Sequence, residues 1–302
     1  MGRRKKNGPK SARAAVFLIL GVFLAAACVL FLKSEGGNEI NPEVLKESPK
    51  ERLPEDTGAV IREQNTETDL GADPAAVEAA AMEQEFQRIL NLSAGEFVCA
   101  GMAREGLLGR LFYAAGINEA VLARISGKSY TQNETVLPSD LSYLRMLYYG
   151  PDGNTYLGEM IVNQAIEADI LDIFQKLYEN RYPIERMVLV DEYDADDEAS
   201  MQANNTSAFN YRTIAGSSRL SNHSYGLAVD LNPKYNPYVK EASDGSLICQ
   251  PQGSEAYADR AAEFAYKIDE QDLAYRLFTE AGFTWGGDFN SVKDYQHFEM
   301  PY

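Results

Sequence analysis

The sequence predicts an α+β domain set behind an N-terminal membrane helix and a spacer. Three observations carry this. Ala14 to Leu32 run without a charge behind a basic flank. Residues 33–72 are polar and acidic, with Pro42, Pro49 and Pro54 and almost no aromatics. Beyond them, one strong helical stripe alternates with short apolar segments of strand length, most of them closed by Gly, Pro or Asn. At 302 residues the chain allows one or two domains, and 45% hydrophobic content is ample for a packed core. A net charge of -17 argues against nucleic acid as a partner and against a domain that clings to anionic lipid. The 3 cysteines are too few for a disulfide framework; Cys99 and Cys249 read as a pair in an oxidising compartment or as two separate thiols.

Residues 1–13 carry Arg3, Arg4, Lys5, Lys6, Lys10 and Arg13 and no acid. They read as a cytoplasmic tail, with residues 14–32 close to the ~20 residues of a membrane-spanning helix and everything after them outside the cell. A cleaved signal at Ala25-Ala26-Ala27, or lipidation at Cys28, is the rival reading. Residues 33–72 read as a disordered spacer and residues 73–302 as the folded domain.

Asp73-Pro74 is a helix start, with Asp at the cap and Pro in the first turn. Met82, Phe86, Ile89 and Leu90 share a face. From Glu96 to Ser126 the pattern is helical, broken by Gly101, Gly106, Gly109 and Gly116. Tyr143 to Tyr149 are apolar and end at the turn Gly150-Pro151-Asp152-Gly153. Asn163 to Asn180 form the clearest helix, with Ile166, Ile170, Ile173, Phe174 and Leu177 in one core stripe and Pro183 as the stop. Met187-Val188-Leu189-Val190 reads as a short strand. The acids from Asp191 to Glu198 read as a solvated loop; their spacing matches no calcium loop. Asn204 to Arg212 are loop-like. Leu227 to Leu231 form a strand, Gly245 to Gly253 a loop, and Asp272 to Ala281 a helix ended by Gly282. Phe283 to Trp285 and Tyr295 to Met300 are strands joined by a Gly-rich turn.

The chain has only 2 histidines, His223 and His297, and each lies in a dense polar signature. With Asp230 they make a His, Asp, His set, which suits a zinc ion with a fourth position left for water. An acid among the apolar residues of a strand, as at Asp230, is costly unless it is paired or on a metal. Seven residues separate His223 from Asp230, which puts them on opposite faces of a plain strand, so a bend is required and Gly226 permits one. Asp294 lies three residues before His297, close enough for one tight turn to aim both at the same point and for Asp294 to serve as the proton carrier.

The motifs Ser221 to Asp230 (S-x-H-x-x-G-x-A-x-D), Trp285 to Asp288 (W-G-G-D) and Asp294 to Glu299 (D-x-x-H-F-E) resemble those of the zinc D-alanyl-D-alanine carboxypeptidases related to VanY. The resemblance runs over roughly residues 97–302 and is strongest from Tyr182 on. It implies a hedgehog/DD-peptidase-like fold, a small antiparallel sheet with flanking helices, whose motif-bearing core spans residues 182–302. It also implies one zinc ion on His223, Asp230 and His297, Asp294 as general base, and the peptide stem of peptidoglycan as substrate. Many relatives carry Glu at the base position, and Asp occurs in relatives that are endopeptidases, which leaves open which stem bond is cut. Arg212 is the match to the family's arginine near the scissile carbonyl, for a substrate carboxylate or the developing oxyanion; a surface ion pair is the other reading. Ser221 and Trp285 are expected in the substrate cleft, Trp285 otherwise in the core. Glu299 is expected to orient a ligand histidine.

Overall fold

Asp73 caps the first helix, its Oδ1 accepting from the backbone N of Ala75 at 3.1 Å, with Pro74 in the first turn. Helix α1 (Pro74–Leu90) buries Ile89 and lays Met82 and Phe86 against the core. This is the start of what the computed structural model describes, residues 73–301. The expected tail, membrane helix and spacer lie outside the described residues. Among the described residues no helix is long and apolar enough to cross a membrane.

The segment read as helical from Glu96 to Ser126 alternates instead: β1 (Phe97–Ala100), α2 (Glu105–Leu111), β2 (Tyr113–Gly116) and α3 (Glu119–Ile125). Pairing decided this against helical periodicity. β1 and β2 form the two edges of a sheet whose centre is the long hairpin of β3 (Leu141–Tyr149) and β4 (Asn154–Asn163), in the order β1-β4-β3-β2. The hairpin turns where expected, with Gly153 at φ 81°. Its inner face sends Leu144 and Met146 into the main core, which also takes the stripe Ile170, Ile173, Phe174 and Leu177 of α4 (Glu167–Glu179). The first residues of the expected helix form a 3-10 turn, Gln164–Ile166, capped by Asn163. The opposite face carries Leu141 and Ile161 into a second cluster with Val121, Ile125, Leu189 and Phe209.

Met187 to Val190 are buried but form no strand, and Val190 already opens a 3-10 turn, Val190–Tyr193. A side chain takes the place of a partner strand: the Asn205 amide accepts from Val188 N and donates to Val188 O, both at 3.0 Å. The acidic run that follows is spent on local structure. Asp191 accepts from Ser129 N at 3.0 Å and Ser129 Oγ at 2.8 Å, and Asp196 caps α5 (Asp197–Gln202).

The C-terminal part adds β5 (Ala228–Asp230), β6 (Tyr238–Glu241), β7 (Leu247–Gln250), α6 (Leu273–Glu280), β8 (Thr284–Trp285), β9 (Lys293–Asp294) and β10 (His297–Glu299). These strands form two three-stranded antiparallel sheets, β5-β10-β8 and β7-β6-β9. The class is α+β as expected, with three small sheets in place of one. The stretch 245–253, read as a loop, contains β7, which pairs along β6 although Leu247 is 60% exposed. That exposure removes the burial signal by which a strand is recognised. Phe278 of α6 meets Phe174 of α4 edge-on and stacks on Phe298 of β10 at 4.2 Å, so one core serves both parts. Cys99 and Cys249 are both free.

Two predictions follow from this packing. Gly226 stands at φ 67°, and a Cβ there would lie 2.6 Å from Asn163 N and 3.0 Å from the Val162 carbonyl carbon. Gly226→Ala is therefore expected to cost at least about 2 kcal/mol in urea unfolding; an unchanged midpoint refutes this. Glu159 is 2% exposed and takes a bidentate bond from Arg124 at 2.8 and 2.6 Å. Burial pushes its carboxyl up, but Arg124 and Tyr143 outweigh burial and hold it below the usual value. Its contribution is thus present above the unfolded carboxylate pKa and disappears as pH falls through the lower folded value. Glu159→Gln is expected to cost about 2–3 kcal/mol at pH 7, between a surface and a buried pair, with the gap to wild type closing below about pH 4. A gap independent of pH would exclude the ion pair as its source.

Candidate metal centre

The site is assembled by register. In the antiparallel pairing of β10 with β5, His297 is directly opposite Asp230, so both side chains leave the same face. His223 comes from outside the sheet, on a 3-10 turn, Asn222–Tyr225, that Ser221 caps through its hydroxyl to His223 N at 3.3 Å. The chain leaves that turn through Gly226 in the left-handed region and enters β5. The bend required by the seven-residue spacing therefore sits at Gly226, and the three residues converge.

His223 Nε2 lies 3.1 Å from His297 Nδ1 and 3.3 Å from Asp230 Oδ2, and His297 Nδ1 lies 3.0 Å from Asp230 Oδ1. Zinc bonds of about 2.0–2.1 Å at tetrahedral angles place neighbouring ligand atoms about 3.3 Å apart. The spacing therefore fits one ion held by all three. The outward nitrogens agree. His223 Nδ1 donates to the carbonyl of Ala208 at 2.5 Å, and His297 Nε2 donates to Glu299 Oε2 at 3.0 Å. Each ring has its proton engaged on the outside, which turns the lone pair of the other nitrogen inward. All three residues are buried.

Such a cluster calls for a positive charge. Burial opposes protonation of His297, but Asp230 and Glu299 outweigh it and push its pKa up to about 10. Burial likewise opposes ionisation of Asp230, yet the two imidazoles hold its carboxyl well below the usual range. Hydrogen bonding from His297 holds Glu299 low as well. A divalent cation held by these three residues would meet that need.

Asp294 stands at the end of β9, half-buried, with the Gln296 amide donating to its Oδ1 at 3.2 Å. Burial pushes its carboxyl up to about 6, with His297 pulling it down and Asp230 adding to the rise. Gly286 lets its own turn lie close against β9 and β10: a Cβ there would lie 2.5 Å from Asp294 O and 3.2 Å from His297 Cβ.

The other expected site residues fall in different places. Glu299 is anchored from behind by the Asn222 amide at 2.6 Å. Ser221 acts on the turn that carries His223. Trp285 is core: 5% exposed, its Nε1 donating to Tyr295 O at 2.9 Å, it packs against Tyr275 and lies opposite Phe298 beneath His297. Arg212 is tied by its backbone to the His223 turn, since Ser224 Oγ accepts from Arg212 N at 2.9 Å, but its guanidinium pairs with Asp197. Sequence reasoning missed Asn222, Gln296, Gly286 and the Ala208 carbonyl. The first two lie next to ligand histidines and Gly286 lies inside a quoted motif; a backbone carbonyl has no residue signature at all.

A family model described as D-alanyl-D-alanine carboxypeptidase matches residues 215–300. Comparison with curated proteins and with solved structures returned no match. The matched segment is narrower than the expected 97–302. It holds His223, Asp230, His297, Asp294 and Glu299, and leaves out Arg212. This segment of the chain is thus similar to the D-alanyl-D-alanine carboxypeptidase family.

Proposed function

We propose that the protein is a zinc-dependent peptidase that cuts the peptide stem of peptidoglycan, held outside the cell by its N-terminal apolar run. The family match supports the peptidase chemistry. The observation that carries the zinc reading is the pair of imidazoles whose protons are engaged outward while their free nitrogens and Asp230 converge, 3.0 to 3.3 Å from one another. A zinc ion bound there supplies a Lewis acid that polarises the scissile carbonyl and activates water.

The residues divide the remaining work. Ala208 and Glu299 fix the ring orientations. Asp294, its pKa raised by burial to about 6, is ionised at neutral pH, takes the proton from the attacking water and returns it to the leaving amine. Arg212 meets the substrate carboxylate or the developing oxyanion, and exchanges Asp197 for that partner. Removal of a terminal D-alanine is the principal reading. Aspartate rather than glutamate at position 294 favours a second, cleavage within the stem. The basic flank and uncharged run of residues 1–32 support anchorage, which suits a substrate fixed beside the membrane.

Incubation with a pentapeptide stem and mass analysis of the products separates the two readings: loss of one alanine supports the first, larger fragments the second, and no cleavage by zinc-loaded protein refutes both. Asp294→Ala is expected to lose nearly all turnover while binding zinc in a 1:1 ratio by metal analysis; full activity would remove Asp294 from the mechanism. Glu299→Gln is expected to weaken zinc binding by about 10–100-fold. Unchanged affinity in a chelator competition would show that Glu299 does not support His297.

A further inference from the structure

The outer face of the β3–β4 hairpin holds a charge cluster that peptide hydrolysis does not use. A cavity of about 620 Å3 opens there, within the size range of small-ligand sites. On its floor, Arg145 of β3 stands directly opposite Glu159 of β4. Arg124 comes in from α3, and Arg186 from the segment after α4. No lining residue lies beyond Tyr193, so no metal-ligand candidate contributes to it.

The carboxylates here are already taken. Glu159 receives two bonds from Arg124 and one from the Tyr143 hydroxyl at 2.5 Å. Glu192 shares Arg124 at 3.1 Å and is 56% exposed. Two guanidiniums remain without an anion. Arg145 donates to the Leu92 carbonyl at 2.7 Å and keeps a buried Nε with no partner. Arg186 is exposed and, among the described residues, its side chain is in no ion pair or hydrogen bond. A chain of net charge -17 has carboxylates in excess, yet none has been placed on these two arginines. Guanidinium forks match planar or tetrahedral oxyanions in a bidentate manner.

We propose that this cavity is a second ligand site, which takes the carboxylate or phosphate group of a small molecule between Arg145 and Arg186. The Arg124–Glu159 pair forms its rigid, already neutralised wall. The proposal does not depend on the peptidase reading, because the two sites share no residue.

The test is a titration of the full-length protein, stripped of metal by chelator, with inorganic phosphate and separately with acetate, followed by amide chemical shifts. Saturable shifts are expected at Ser93, Arg145, Arg186 and Tyr193. Tighter phosphate identifies a phosphate ligand, and tighter acetate a carboxylate. Arg186→Gln, an exposed change that leaves the unfolding midpoint in place, is expected to weaken binding about tenfold, and Arg145→Lys to weaken it while keeping the charge. No saturation with either probe, or equal affinity in Arg186→Gln, overturns the proposal.

Discussion

The antiparallel pairing of β5 with β10 is the constraint from which the rest of the site follows. It sets Asp230 across from His297 with no help from loop conformation. Strand pairs are stiff, so two of three ligand positions are fixed by backbone hydrogen bonds before any side chain chooses a rotamer. The third ligand needs a device of its own. The Ser221-capped turn and the left-handed Gly226 reverse the chain within a few residues and bring His223 Nε2 to the open side of that pair. A carboxylate buried with two imidazoles carries a negative charge that is costly unless a positive charge compensates it. The raised pKa of His297 and the lowered pKa of Asp230 express this demand for positive charge.

Around that pair the protein removes rotational freedom one group at a time. Glu299 holds His297 and is itself held by Asn222, which belongs to the turn carrying His223. The support of one ligand is thus tied to the support of the other, and displacement of either turn or strand disturbs both. Beneath them Phe298 and Trp285 put aromatic mass under the sheet, with Phe278 stacked from α6. Trp285 therefore serves the site from below, through the stiffness of the sheet.

The parts legible in the sequence were those whose chemistry is concentrated in single residue types. Two histidines in a chain of this length, each near an acid, are conspicuous, and Asp230 among apolar neighbours is out of place unless it binds something. The α4 stripe, the Asp73 cap and the turn at residues 150–153 were legible because periodicity and capping are local. What stayed hidden depends on partners distant in sequence. β1 and β2 lie in a helical pattern and are strands because the hairpin edges were available to them. Met187 to Val190 had the composition of a strand but found a side-chain amide instead of a neighbour. The Asp197 partner of Arg212 and the Ala208 partner of His223 could not be read from spacing, since neither residue type announces the contact.

The matched segment 215–300 is narrower than the unit that makes the site work. Ala208, which sets the tautomer of His223, precedes it. Ser207 and Asp230 exchange backbone hydrogen bonds at 3.0 and 2.8 Å, so the outer edge of β5 is closed from outside the segment as well. Asn163, at the end of β4, donates its backbone N to Gly226 O at 2.8 Å and its side chain to Tyr225 O at 3.0 Å. The bend that presents His223 is thus clamped by the hairpin of the N-terminal sheet, and the same clamp leaves no room for a Cβ at residue 226. Cut at residue 215, the chain would keep every ligand and lose the groups that orient one of them and lock the turn. The N-terminal sheet belongs to the candidate metal centre in this physical sense: it contributes none of the three residues, but it confines the conformations in which they can meet.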